Sequence, residues 1–390
     1  MSATRSKRPE ILALEALLDL GALKASLCMV TGAKDCAALD VLDAGGYHQV
    51  YLARMDDENE VIARVSINNS DHLSLARKMR SEVATMQWIR ANTDIPVPAV
   101  LFACTNPVNP VGAAYMIMQK LPGHALGKVW DEISQTQKDT IIAQLARFNV
   151  TLMKSGSFKQ IGSMVPTNGG ISIGPLIPSP ISWFFRRDPT LDNGPWNSEQ
   201  EYLLACVSRE LQWIATHQDK LAAVWANDAT NPGEDTTVAD YTTLLQRLQA
   251  EIPRLEGLDD SYGQLGPFVI RHPDLSLGNI LVRDDDPTVI TGIIDWEGSY
   301  TAPLWAMTPV PQFLHDYGDL FQGDPALVIS AAKCREVFLK TCYDELPGVF
   351  ETIHKAGRKL SRIEKVAQFV TTIVSLENIQ ESITDILDRN

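Results

Sequence analysis

A chain of 390 residues, 45% apolar and 21% charged, holds enough core material for about two domains or one large two-lobed one. No apolar run approaches the ~20 residues that cross a bilayer, which argues against a membrane protein. The formal net charge of −14 argues against a polyanionic partner such as nucleic acid, and it tolerates or steers a cationic small molecule.

The N-terminus "MSATRSKRPEILALEALLDL" starts basic, but Glu10, Glu15 and Asp19 interrupt the apolar residues after it. That pattern argues against a signal or transit peptide, and a cytoplasmic protein is expected. Residues 9–30 are expected to be helical, within an N-terminal extension spanning 1–37. From Ala38 the periodicity changes: "LDVLDAGGYHQVYLARM" and "EVIARVSI" alternate as strands do, around a Gly-Gly loop and an Asp56-Asp57-Glu58-Asn59 turn. A helix over 73–91 comes next. "IPVPAVLFA" is extended because each proline restricts its predecessor. Residues 106–112 form a turn, and "AAYMIMQKL" is a further strand. This unit, 38–121, ends at Pro122-Gly123.

Helices dominate the remaining segment, 122–390. Ser134-x-x-Gln137 and Ser198-x-x-Glu201 have the capping-box spacing, each succeeded by apolar residues on one helical face. Between them lies a Gly-rich excursion, "IGSMVPTNGGISIGPLIPSP". A third helix over 237–252 stops at Pro253, and residues 325–387 are again helical. Cys28, Cys36, Cys104, Cys206, Cys334 and Cys342 show no zinc spacing and read as reduced core residues.

One stretch carries chemistry: "VIRHPDLSLGNILVRDDDPTVITGIIDWEGSY", residues 269–300. Apolar runs at 280–282 and 289–294 flank the turn Arg283-Asp284-Asp285-Asp286-Pro287 and read as a hairpin. Folding it brings Asp274, Asn279 and Asp295 to one open end. The oxygens of Asn279 and Asp295 suit Mg²⁺, which takes one or two protein carboxylates plus phosphate oxygens and water. Asp274 at the same end can accept a proton from an attacking hydroxyl, or orient it. His272 reads as a residue that shapes the loop, and Trp296 and Trp305 as core.

Two further features belong to the first unit. Glu82 falls within the apolar stripe Leu75, Met79, Met86 and Ile89, so it points inward and needs a cationic partner. Arg64, on a strand face shared with Ile62, is the candidate. Gly45 and Gly46 permit close backbone approach, and free amides in such a loop can hold phosphate; as a motif this is weak.

"HPDLSLGNILV" and, after it, "GIIDWE" resemble the catalytic and metal-binding segments of the aminoglycoside phosphotransferase family, including its choline-kinase-like and fungal branches. "GGYHQVY" resembles the nucleotide loop, "VIARV" the cation-bearing strand and "YMIMQKLPG" the hinge strand. The resemblance implies an α+β, bilobal, protein-kinase-like fold with a small mixed β lobe and a larger helical lobe. It implies ATP and Mg²⁺ as cofactors, with Asp274 as catalytic base and Asn279 and Asp295 as metal ligands. Gly45 and Gly46 would cover the phosphates, Arg64 paired with Glu82 would contact them, and the backbone of Gln119 to Leu121 would meet adenine. The acceptor would be a small molecule bearing a hydroxyl or amine, walled by 162–180 and 303–323, with Asp316 and Asp319 available to a cationic group. Arg64 stands where kinases usually carry lysine, and no Ala-Pro-Glu or long activation segment comes after Asp295. Two other readings stand beside a small-molecule kinase: an idle nucleotide-binding regulator, and a site redirected to a non-kinase reaction on a natural product.

Overall fold

The computed structural model describes residues 18–44, 48–66, 72–177, 192–227, 237–255, 265–314 and 325–369. By backbone proximity the chain divides into two compact units. One comprises Met1–Gln137, Val165–Ile171 and Asp274–Glu297; the other comprises Lys138–Met164, Ser172–Pro273 and Gly298–Asn390.

The first unit opens with α1 (Leu20–Thr31). Asp19 caps it, with Oδ1 accepting from the Ala22 N–H at 2.8 Å, and Gly32 closes it at φ +79°. The expected helix over 9–30 is thus broken at Asp19, because a short carboxylate before a free helical N–H caps better than it continues; residues 1–17 lie outside the described residues. Five antiparallel strands come next: β1 (Cys36–Ala44), β2 (His48–Met55), β3 (Glu60–Ser66), β4 (Val100–Cys104) and β5 (Tyr115–Gln119), in the order β1-β2-β3-β5-β4. Alternation sorts their side chains. Tyr51, Ala53, Met55, Val61, Ala63, Val65, Tyr115 and Ile117 pack with Leu23 and Leu27 of α1 into one core. Arg64 alternates with Ala63 and Val65 and so projects to the opposite face. Between β3 and β4 runs α2 (His72–Asn92), which buries Met79, Met86 and Ile89.

The same unit contains a three-stranded sheet of order β11-β10-β6, made of β6 (His124–Ala125), β10 (Ile280–Val282) and β11 (Ile290–Ile293). The expected hairpin is β10–β11; its third strand, β6, has no signal in a run of two residues. Gly123, at φ +90°, lies against this sheet so closely that a Cβ there would stand 1.9 Å from the Val282 carbonyl oxygen.

The helix α3 (Gln135–Ser155), in the second unit from Lys138 on, continues from its Ser134 cap, whose N–H donates to Gln137 Oε1 at 2.9 Å. Ser163–Thr167 (β7) and Gly170–Gly174 (β8) form the Gly-rich hairpin. Next come α4 (Glu199–Asn227), kinked at His217, and α5 (Val238–Glu251), which has a complete capping box between Thr237 and Asp240. A two-stranded sheet pairs β9 (Phe268–Arg271) with β12 (Tyr300–Pro303). The described part of the tail is helical, as two helices, α6 (Pro325–Glu345) and α7 (Val349–Phe369), separated at Gly348, where φ is +75°. Trp296 and Trp305 are both buried, and the Trp305 indole N–H donates to Glu199 at 2.9 Å. All six cysteines are free thiols. Among the described residues no helix is long and apolar enough to cross a membrane.

Candidate active site

The site lies within the first unit and starts from β3. Arg64 is buried, and its guanidinium is surrounded by carboxylates. Nη1 donates to Glu82 Oε1 at 2.5 Å and lies 3.5 Å from Asp295 Oδ1. Nη2 donates to Glu297 Oε2 at 2.9 Å and stands 3.4 Å from the His48 ring nitrogens. Glu82 therefore has the partner that its inward position demanded. An unpaired buried carboxylate would be very costly, and the pair offsets part of that cost.

The electrostatics follow from this crowding. Burial opposes the Arg64 charge, but Glu82, Asp295 and Glu297 more than compensate, so the guanidinium is held firmly protonated. Burial pushes the Glu82 carboxyl up, Arg64 pulls it down, and Asp295 and Glu297 push it up again, leaving it above the ordinary carboxylate range. His48 is pushed well below its ordinary value, first by burial and then by Arg64 and Lys78. Its imidazole is consequently neutral at pH 7, and its 3.5 Å approach to Glu297 is not an ion pair.

The hairpin supplies the other half. The Asn279 side-chain amide donates from Nδ2 to the Asp274 carbonyl at 2.8 Å and to Asp274 Oδ2 at 3.3 Å. The Asn279 carbonyl accepts from the Ile294 N–H at 2.9 Å, which sets it beside Asp295 in the chain fold. Asp295 has φ +61°, a left-handed backbone rare for a residue with a Cβ, and its side chain is half exposed. Such a conformation costs of order 1–3 kcal/mol and persists where surroundings impose it. Here the Ile293 N–H donates to the Pro96 carbonyl at 2.8 Å, and the Trp296 indole N–H to the Ile293 carbonyl at 3.0 Å. The Asn279 side chain thus bonds Asp274, its backbone bonds the residue before Asp295, and Asp295 lies within ion-pair distance of Arg64.

The donor set suits Mg²⁺. With Nδ2 committed to Asp274, the amide of Asn279 directs its Oδ1 away from that bond, and Asp295 adds an accessible carboxylate; two hard oxygen donors leave positions for water and phosphate. Among the described residues no group of three or more His, Cys, Asp or Glu side chains could hold a metal by themselves.

Other expected contacts are placed less fully. Gly45 and Gly46 lie outside the described residues, as do Asp316 and Asp319 and the end of the 162–180 segment. The Gln119 N–H is already bonded to the Ala99 carbonyl at 2.8 Å and so is not offered to a base; Leu121, two residues on, is half-buried against Gly292 of β11. Three residues around the Arg64 cluster have no role that sequence pattern assigns. Glu297 closes the run "DWE", His48 is one of several scattered histidines, and Lys78 looks like an ordinary helical lysine. The signal that could have found Lys78 and Glu297 is spacing: one helical turn before Glu82, and two residues after Asp295.

A five-stranded antiparallel sheet, then a mainly helical region, with a paired cation and glutamate next to an Asp-x4-Asn and Asp-Trp-Glu hairpin, defines an α+β phosphotransferase-type chain. The chain belongs to the phosphotransferase enzyme family, APH, whose model matches residues 41–306. It is 27% identical over 321 residues to a subtelomeric hrmA-associated cluster protein of Aspergillus fumigatus, an alignment covering 72% of this chain and 61% of that protein. It is 23% identical over 305 residues to altered inheritance of mitochondria protein 9, mitochondrial, of Candida tropicalis, covering 69% and 48% respectively. The chain therefore spans about three fifths of the first relative's length and about half of the second's. Among solved structures it is similar to a thermostable mutant of the aminoglycoside phosphotransferase APH(4)-Ia in complex with ADP and hygromycin B, at 13% identity and TM-score 0.49, covering 94% of this chain and 96% of that one. It is also similar to APH(2")-IIa in complex with streptomycin and ATP, at 11% identity and TM-score 0.47, covering 94% and 95%.

Proposed function

We propose that the protein is an ATP-dependent phosphotransferase acting on a hydroxyl or amine of a small molecule. The observation that carries this reading is the shared Arg64: one guanidinium bonded to Glu82 of α2 and within ion-pair distance of Asp295 at the hairpin. Family membership supports it, because the matched region 41–306 spans every residue of that cluster.

In this reading Asn279 and Asp295 hold Mg²⁺, which when bound offsets charge on the nucleotide phosphates. Arg64 adds a fixed positive charge beside them, and Glu82 prevents its side chain from swinging away. Asp274 accepts the proton of the attacking O–H or N–H. The acceptor oxygen or nitrogen forms its bond to the γ-phosphorus as the bond to the bridging oxygen breaks, and ADP leaves. Asn279 donates to the Asp274 carboxylate and backbone, which fixes that carboxylate's rotamer. Such chemistry depends on placement and charge compensation more than on covalent intermediates. A cationic acceptor accords with the net charge of −14.

The test is ADP release over a panel of amines and alcohols, with mass spectrometry for phosphate gain on the acceptor. Asp274→Asn should lower turnover by about 10²–10⁴-fold, the usual contribution of a positioned base, while leaving nucleotide affinity nearly intact. Full activity in that variant would remove Asp274 from the mechanism, and ADP release without any phosphorylated acceptor would point to a different reaction.

A further inference from the structure

Lys78 lies one helical turn before Glu82 on α2, so the two share a face. Its side chain is only 12% exposed, and its ammonium stands 3.8 Å from Glu297 Oε1. The other oxygen of that carboxylate, Oε2, is the one bonded to Arg64 at 2.9 Å. A single carboxylate thus holds both cations, one on each oxygen. We propose that Lys78 is a second polyphosphate-contacting cation, acting beside Arg64 on the phosphate tail of a nucleoside triphosphate. The proposal rests on the phosphotransferase reading and adds to it a residue and a reason.

The reason is charge. Arg64 lies against Glu82, Asp295 and Glu297, so one positive charge answers three carboxyl groups, and the crowding already pushes Glu82 toward its protonated form. His48 beside it is neutral and contributes none. An arginine so outnumbered offers little net attraction to a further anion. Lys78 is the second cation of the cluster, and without it the deficit deepens by one charge just where phosphate must enter.

Geometry separates the two cations further. Arg64 donates to Glu82 and Glu297 at hydrogen-bond distance from its two Nη atoms, a planar fork fixed on both sides. Lys78 is within ion-pair range of Glu297 but beyond hydrogen-bond distance. An ammonium on a flexible four-carbon stem has three rotatable donors, so it can exchange one of them from a neighbour to an incoming phosphate while Glu297 keeps it in the neighbourhood. Arg64 is then the rigid element of the cluster and Lys78 the adaptable one.

The test is calorimetric binding of Mg²⁺ with a non-hydrolysable ATP analogue, and separately of adenosine, to the full chain. Lys78→Met should weaken the analogue by about tenfold, the loss of one charge-assisted contact, and leave adenosine unchanged. Lys78→Arg should recover most of the loss. The double variant Lys78→Met with Glu297→Gln removes the negative charge that the single change leaves in excess. It should still bind the analogue weakly if Lys78 meets phosphate. If the double variant binds as the native chain does, Lys78 serves only to neutralise Glu297 and the proposal is overturned. Equal weakening toward adenosine and the analogue would overturn it as well, by showing a purely structural role. A native chain that binds neither compound would refute the nucleotide reading itself, an outcome distinct from any change confined to the variants.

Discussion

Replacing Glu364 with Gln tests how the second unit is held together. Glu364, on α7, is 4% exposed and accepts from the Tyr202 hydroxyl at 2.6 Å, the Tyr300 hydroxyl at 3.0 Å and Arg271 Nη1 at 3.1 Å. Four elements, α4, β9, β12 and α7, meet at this one carboxylate. Burial, and after it the neighbouring Glu364 charge, pushes the Tyr202 hydroxyl well up, so it stays a proton donor. Removing one partner of a buried ion pair costs ~3–5 kcal/mol, because the remaining charge is stranded. Arg271 is still 28% exposed, so water can reach part of it, and the lower end, about 3 kcal/mol, is expected. The control is Lys340→Ala, which breaks the Lys340–Asp344 pair. That pair is shorter, 2.6 Å against 3.1 Å, but its side chains are 72% and 64% exposed, and it should contribute less than ~0.5 kcal/mol. Urea unfolding midpoints at equal slope measure both. If Glu364→Gln unfolds within ~1 kcal/mol of the native chain, or matches Lys340→Ala, burial is not what gives this network its strength.

The first unit yields two more expectations. The Glu82 carboxyl is pushed up to about 7 from an ordinary 4.5, so across that window the folded chain retains a proton that the unfolded chain has lost. This group's contribution to stability is then complete below ~4.5 and lost as pH rises through ~7, and Glu82→Gln should flatten that fall when urea midpoints are compared at pH 5 and pH 8. Gly123→Ala must place a Cβ 1.9 Å from the Val282 carbonyl oxygen at φ +90°, whereas Gly348→Ala, at φ +75°, meets nothing within 4 Å. The second should cost only the left-handed penalty of ~1–2 kcal/mol and the first clearly more, read as a larger drop in thermal midpoint.

Much of the candidate site is legible in the sequence because it breaks local rules. Glu82 interrupts an apolar stripe at helical spacing, and Asp274, Asn279 and Asp295 punctuate β-like runs around an obvious turn. The strands of the first sheet show in their alternation, and the Ser134 and Ser198 caps in their side-chain chemistry. Legibility fails where pairing is non-local or the segment short. β6 has two residues, and β9 with β12 has four each, paired across a span that contains the whole hairpin. Within the helix expected over 9–30, Asp19 looks like one more surface residue yet is the cap from which the described helix Leu20–Thr31 starts.

Local pattern was enough to determine which residues carry charge inward, where the hairpin turns and which face of each strand and helix is apolar, because these depend on neighbours two to four positions away. Only the tertiary structure decided who answers those charges. Glu297 reaches Arg64 across 233 residues of chain, and Lys78 joins them through that same carboxylate. Electrostatic partnership depends on distance in space and on burial, neither of which a linear pattern encodes, so the identity of the cluster emerged only once β3, α2 and the hairpin had folded onto one another.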